Sequence, residues 1–129
     1  MILVDTPVWI DHWRSEVPHL SDLLDGEQVL MHPMVIGELA CGNLRDRVQA
    51  LEFLSDLPEV TIAFSDEVLV FIERHRLMGR GIGYVDVNLL VSTALHESAR
   101  LWTVDRRLHN AALELGIAYE IADWGYGDD

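Results

Sequence analysis

Residues 1–11, MILVDTPVWID, place an apolar strand pattern, an aspartate and a helix start in immediate succession. Ile2–Val4 has the aliphatic character of a short buried strand. Thr6 and Pro7 are typical of a helix start, because a threonine oxygen caps the first turn and proline fits its first position. If Thr6 is the cap, Asp5 has no local task at the end of an apolar strand, where an unpaired charge is costly. The stretch therefore predicts a strand-to-helix unit in which Asp5 has a function.

The same alternation of short apolar strands and helices continues along the chain. Further strands are predicted at residues 29–31, 60–63, 99–105 and 117–121. Helices are predicted at residues 7–14, 18–24, from 33, 45–57, 65–78 with Ser65 as cap, behind Asp86, and at 106–116. This alternation favours an α/β fold with a parallel sheet, in which sites form beyond the carboxyl ends of the strands. Because no repeat or linker interrupts the pattern, we expect one domain over residues 1–129.

The charge balance is strongly acidic. The formal net charge is −13, from 22 acidic residues against nine basic ones, and all nine basic residues are arginine. Since affinity for a nucleic-acid backbone comes mostly from neutralising cations, this composition argues against tight binding to nucleic acid through charge alone.

Cysteine use and hydropathy indicate the compartment. Cys41 is the single cysteine, which excludes a disulfide or a cysteine zinc site within one chain. The sequence starts without a basic leader segment, and no apolar run approaches the roughly 20 residues that cross a bilayer. We therefore expect a cytoplasmic protein without a membrane anchor.

Four carboxylates stand in unexpected places. Asp5 and Asp105 each follow a predicted strand, Asp86 begins an almost entirely apolar helix, and Glu38 interrupts an apolar helix face. Asp86 and Asp105 have an alternative as plain helix N-caps. Glu38 has an alternative as a partner of a backbone group or of Arg45. Taken together, the four positions predict a cluster of acids at the carboxyl edge of the sheet.

A cluster of this kind needs a cation. Two carboxylates about 5 Å apart repel by about 3 kcal/mol at an effective dielectric constant of about 20. Oxygen-only ligands select hard divalent ions, so Mg²⁺ or Mn²⁺ is favoured over zinc. Such ions suit phosphodiester hydrolysis, because they acidify a bound water and neutralise charge on the phosphate. The sequence leaves open whether one ion or two is bound.

Two further patterns keep alternative interpretations. Trp9 and Trp13 lie one helical turn apart, which is typical of a core stripe or of an interface patch. Arg74, Arg76 and Arg80 precede Asp86 and either guide the phosphates of a substrate or are solvated helix charges.

The chain resembles a known family across residues 2–121. Four segments carry the resemblance in order: VDTPVW, VIGELACG, GYVDVNLLVSTAL and LWTVDRRL. Together they are similar to the PIN-domain ribonucleases, and in particular to the VapC-type toxins of bacterial toxin–antitoxin pairs.

This resemblance implies a three-layer α/β/α domain with a central parallel sheet and endoribonuclease activity that depends on Mg²⁺ or Mn²⁺. It further implies a cognate antitoxin partner, which often places a basic side chain among the acids, and a homodimer. The implied metal-binding and catalytic residues are Asp5, Glu38, Asp86 and Asp105, with Thr6 and Thr103 in supporting roles. Some relatives carry another acid where this chain has Arg106 and Arg107.

Two other classes of protein remain alternatives at this point. One is a PIN-like scaffold that only binds protein. The other is a small-molecule phosphohydrolase or phosphoacceptor domain on a similar sheet. Against the latter, Pro7 stands where an aspartyl-phosphate phosphatase needs a second acid, and the chain has no lysine for a receiver-type site.

Overall fold

The structure is a computed structural model that describes residues 1–121. Within that range the chain forms three strands, β1 (Ile2–Val4), β2 (Val29–Leu30) and β3 (Arg100–Trp102). It also forms seven helices: α1 (Thr6–Arg14), α2 (Pro18–Asp25), α3 (Pro33–Ala40), α4 (Arg47–Asp56), α5 (Ser65–His75), α6 (Tyr84–Leu95) and α7 (Arg106–Glu114). The last residues of the predicted domain, 122–129, lie outside the described residues.

The three strands form a parallel sheet in the order β2-β1-β3. The register places Leu3 of the central strand opposite Leu30 on one side and Leu101 on the other. All three leucines are buried, as expected for a sheet covered on both faces. Because the strands are parallel, their carboxyl ends meet at one edge of the sheet. The three-layer α/β/α fold predicted from the sequence is confirmed.

The predicted strand at residues 60–63 is wrong. The neighbouring chain pairs with the sheet through a single bridge between Met31 and Glu59. Two hydrogen bonds frame it: Met31 N–H donates to the Pro58 carbonyl at 2.8 Å, and Val60 N–H donates to the Met31 carbonyl at 3.0 Å. β2 ends at Leu30 and α3 begins at Pro33, so the apolar residues that follow the bridge have no adjacent strand among residues 1–121 with which to pair.

The predicted strand at residues 117–121 is likewise wrong, and it is reduced to one bridge between Leu101 and Ala118. Leu101 N–H donates to the Ile117 carbonyl at 2.8 Å, and Tyr119 N–H donates to the Leu101 carbonyl at 2.9 Å. The pairing therefore involves a single residue of β3. The apolar pattern predicted a full strand where the structure has one bridge.

α6 is the central helix, as its apolar sequence predicted. Seven consecutive residues, Val87 to Thr93, are buried, and the helix contacts both α5 and β3. Its burial fixes the position of its first turn, which carries Asp86. None of the helices within residues 1–121 combines the length and the apolar character that a bilayer crossing requires.

Two details of α1 and α5 differ from the expectation. Ser65 is the first residue of α5, and the cap position belongs to Phe64, whose N–H donates to the Glu67 carboxylate at 2.8 Å. On α1, Trp9 is fully buried, whereas Trp13 is 37% exposed. The core interpretation of this pair therefore holds for Trp9 only.

Ser92 provides a test of the packing around α6. Its hydroxyl is fully buried and has no hydrogen-bond partner among the described residues. Ser92→Ala removes this unpaired group, so we expect the free energy of unfolding to rise by about 1 kcal/mol in urea denaturation. Thr93→Val is the matched control, because the Thr93 hydroxyl donates to the Leu89 carbonyl at 2.7 Å. A loss of stability in Ser92→Ala would contradict this account of the core.

Candidate active site

All four predicted carboxylates line one pocket of about 220 Å³ at the carboxyl edge of the sheet. Asp5 follows β1, Glu38 lies on α3, Asp86 lies in the first turn of α6, and Asp105 lies between β3 and α7. The remaining lining residues are Thr6 and Pro7. The parallel sheet thus brings together acids that are far apart in sequence.

Asp5 is the anchor of this pocket. It is only 3% exposed, and both of its carboxylate oxygens accept hydrogen bonds. Oδ1 accepts the Thr6 backbone N–H at 2.8 Å, and Oδ2 accepts the Thr103 hydroxyl at 2.7 Å. The burial of Asp5 is therefore compensated by two donors that hold its carboxylate in one orientation.

The prediction that Thr6 caps α1 and leaves Asp5 free is wrong. Asp5 itself is the N-cap, and Thr6 is the first helical residue. The Thr6 hydroxyl is engaged elsewhere, because it donates to Glu38 Oε1 at 2.6 Å. Asp5 therefore caps α1 and lines the pocket at the same time. It does have a local role at the helix start, contrary to the expectation from the sequence.

Thr6 and Thr103, the two predicted supporting residues, each join parts of the acid cluster. Both are buried. Thr6 contributes its N–H to Asp5 and its hydroxyl to Glu38. Thr103 donates its hydroxyl to Asp5 and accepts the Asp105 N–H at 3.0 Å. These bonds connect β1, α3 and the chain that follows β3.

Asp105 is a helix cap and a pocket residue at the same time. Its Oδ1 accepts the Leu108 N–H at 3.0 Å as the N-cap of α7, so this alternative from the sequence is right. Asp86 is different, because Gly83 occupies the cap position of α6 and Asp86 lies inside the first turn. Within residues 1–121 the Asp86 carboxylate has no hydrogen-bond or ion-pair partner, so the cap alternative fails for Asp86.

Glu38 does not lie on a buried face, contrary to the expectation. Its side chain is exposed, and its hydrogen-bond partner is Thr6 rather than Arg45. Arg45 also forms no ion pair with Glu38. The salt bridge found among the described residues joins Arg80 and Glu114, at 2.9 Å. The sequence predicted an apolar face of α3 around Glu38, but at this residue the helix borders the pocket. Residue spacing alone does not show this.

Burial and the neighbouring carboxylates raise the pKa values of two of the acids, Asp5 and Asp86. Burial raises the pKa of Asp5, the bonds from Thr103 and Thr6 oppose this, and the charges of Glu38 and Asp105 add to it. Burial also raises the pKa of Asp86 from 3.8 to about 6, with further contributions from the other three carboxylates. Among residues 1–121 no arginine lines the pocket, so no basic side chain of that part of the chain relieves the repulsion there.

The donor set fits a hard divalent cation in its chemistry, since every polar side chain that lines the pocket offers oxygen. The acids are nevertheless not gathered around one point. Among residues 1–121 no three His, Cys, Asp or Glu side chains have an arrangement that holds a metal ion as they stand. Asp5, Glu38 and Asp105 each already direct an oxygen to a protein donor, whereas Asp86 does not among residues 1–121.

Comparison with known proteins decides the family. The family model for the PIN domain matches residues 2–114, a range that contains all four acids and both threonines. This chain belongs to the PIN-domain family. It is 48% identical over 118 residues to ribonuclease VapC32 of Mycobacterium tuberculosis, found in two strains, with 92% of this chain and 95% of the relative covered. Within the PIN-domain family the chain is therefore a VapC-type ribonuclease.

Asp86 gives the metal-free PIN domain a specific pH dependence. Because its pKa is raised from 3.8 to about 6, the native state binds more protons than the unfolded state between these pH values. The stability contribution of Asp86 therefore falls as the pH rises across this window. In the presence of chelator, Asp86→Asn should match wild type near pH 4 and exceed it by about 1–2 kcal/mol near pH 7, after allowance for solvent screening.

Chemical denaturation across this pH range measures the difference. Asp11→Asn, at an exposed position on α1 outside the pocket, is the matched control and should give a constant difference. A constant difference for Asp86→Asn as well would mean that the carboxylate is not under electrostatic strain.

Proposed function

We propose that this VapC-type ribonuclease hydrolyses RNA phosphodiester bonds at the carboxylate pocket with Mg²⁺ or Mn²⁺, as the toxin of a toxin–antitoxin pair. The observation that carries the proposal is the convergence of Asp5, Glu38, Asp86 and Asp105 in a pocket lined by no cationic side chain. Membership of the family favours RNA as the substrate over a small phosphate ester. It also favours an enzyme over a scaffold that only binds protein.

We assign the four carboxylates to metal binding, and each is positioned differently. Asp5 is fixed by its two hydrogen bonds and defines the floor of the pocket. Asp105 is fixed by its cap bond to α7, and its backbone is tied to Thr103. Asp86 is held by the buried helix α6 and leaves its oxygens unbonded within residues 1–121. Glu38, which is exposed at the rim, is oriented by the Thr6 hydroxyl.

A bound divalent ion supplies charge neutralisation on the phosphate and lowers the pKa of a coordinated water. The chain holds the acids in place, and no basic side chain of residues 1–121 lines the pocket to compete with the ion. Burial and repulsion together raise the pKa values of Asp5 and Asp86, and such an ion would relieve the repulsion. Ion binding and the electrostatic strain of the metal-free protein are therefore two aspects of one arrangement.

The proposed partners follow from charge and exposed apolar surface. A cognate antitoxin with a basic segment would complement a chain whose net charge is −13, and an arginine of that partner would neutralise the pocket. A second copy of this chain is proposed for the exposed apolar residues at the start of α5, which include Phe64, Leu69 and Val70. We place the activity in the cytoplasm.

Asp5→Asn tests the proposed chemistry. The variant is almost isosteric, and the Thr103 hydroxyl that donates to Asp5 can instead accept from the new amide, so the fold should persist. With Mg²⁺ or Mn²⁺ and a structured RNA, we expect wild type to cleave and the variant to be slower by at least about 100-fold. Chelator should abolish cleavage by wild type.

Asp11→Asn is the matched control, because it makes the same chemical change on the same helix at an exposed position. It should cleave at the wild-type rate. Cleavage that is equally fast in Asp5→Asn would assign the activity to a contaminant, and an inactive wild type under every metal condition would contradict the proposed function.

A further inference from the structure

A second and larger cavity adjoins the carboxylate pocket. This groove has a volume of about 560 Å³ and lies between α1 and the loop that follows α3. Its walls include Trp13 and Arg14 from the end of α1, and Arg45 with residues 42–44 from the loop. Glu38 lines both cavities, so the groove and the carboxylate pocket are adjacent at this residue.

Trp13 presents an aromatic surface to the groove from a fixed position. Its ring lies against Trp9, with a centroid separation of 5.5 Å and an interplanar angle of 34°. Trp9 is fully buried, whereas Trp13 is 37% exposed. An indole that is anchored on one side and accessible on another is a ready stacking surface for a nucleobase.

Two unpaired cations accompany this aromatic ring. Arg14 and Arg45 are exposed, and neither forms an ion pair with an acid among the described residues. In a chain with a net charge of −13, two free guanidinium groups beside one groove form a local site for phosphate. The acidic surface elsewhere repels RNA and so confines its backbone to such places.

The loop wall is held in place by a different arginine. Arg47 donates one hydrogen bond to the Gly42 carbonyl at 3.1 Å and another to the Ala40 carbonyl at 2.6 Å. These bonds tie the loop to the end of α3 and the start of α4. Arg47 therefore has a structural task, and Arg45 is left for a ligand.

We propose that this groove is a nucleotide subsite for single-stranded RNA next to the scissile phosphate. A base stacks on Trp13, and Arg14 and Arg45 bind the adjoining phosphate. The proposal rests on the proposed ribonuclease function and identifies where the enzyme holds its substrate outside the acid pocket. The volume of about 560 Å³ lies in the range of small-ligand sites, whereas the pocket of about 220 Å³ is below it.

The two arginines and the exposed indole of the groove favour RNA over a basic peptide as its occupant. A peptide segment of a basic partner would meet Arg14 and Arg45 as like charges. A phosphate backbone meets them as opposite charges, and its bases use the exposed ring of Trp13. The groove also leads directly to Glu38, which an RNA strand must reach in order to be cleaved.

Binding of a labelled short oligouridylate, measured by fluorescence anisotropy with Mg²⁺, tests the subsite. Asp5→Asn serves as the parent protein so that the RNA stays intact. We expect Trp13→Ala to weaken binding by about 5- to 150-fold, and Trp13→Phe to retain most of it. Arg45→Ala should weaken binding and lower the dependence of the binding constant on salt by about 0.7 in logarithmic slope.

Matched controls separate the groove from a general effect on the surface. Phe53→Ala removes a more exposed aromatic ring, on α4, and Arg100→Ala removes an exposed arginine of β3; neither residue lines the groove, so both variants should leave binding unchanged. Thermal melting identifies any variant that fails to fold. If Trp13→Ala fails to fold, Trp13→Phe still provides a test of the aromatic ring.

The outcomes distinguish this subsite from the proposed function. If wild type cleaves RNA and Trp13→Ala binds as tightly as its parent, the subsite is refuted while the ribonuclease function stands. This result would leave the groove to a protein partner. If wild type cleaves no RNA, the proposed function fails. Equal weakening by Trp13→Ala and Phe53→Ala would also overturn the subsite.

Discussion

Electrostatic repulsion within one pocket is the constraint that the surrounding structure must oppose. Asp5, Glu38, Asp86 and Asp105 line the same cavity, and burial, together with the charges of the neighbouring acids, raises the pKa values of Asp5 and Asp86. The pocket persists because each acid is attached to a rigid element. The sheet fixes Asp5 and Asp105, and the buried helix α6 fixes Asp86. The packed core around these elements compensates for the cost of the repulsion, and perturbed pKa values of this kind are typical of functional sites.

Two threonines make this arrangement possible. Thr103, at the end of β3, donates to the acid that follows β1, while Thr6, after β1, donates to the acid on α3. A hydroxyl supplies a donor without a charge, so it orients a carboxylate and leaves the cluster negative. An arginine in either position would neutralise the pocket and remove its demand for an external cation.

The sequence predicted the parallel sheet, the buried helix α6 and the four acids, because strand and helix patterns determine where strand ends lie. It failed where the outcome depends on partners in space. The cap of α1 is Asp5 and not Thr6, since the Thr6 hydroxyl reaches Glu38, which lies on a different helix. The apolar pattern at residues 60–63 predicted a strand, but the pairing beside this segment is a single bridge between Met31 and Glu59. The groove beside Trp13 was also unforeseen, because a loop distant in sequence builds its second wall.

Thermal stability with and without a divalent ion tests the central claim most directly, because a ligand of the native state stabilises it by mass action. At about 100 times its dissociation constant, Mn²⁺ or Mg²⁺ should add about 2.7 kcal/mol to the unfolding free energy of wild type. Asp86→Asn should gain far less, whereas Glu52→Gln, at an exposed position on α4, should gain as much as wild type. An equal gain in Asp86→Asn and wild type, or no gain in wild type, would contradict a metal site in the carboxylate pocket.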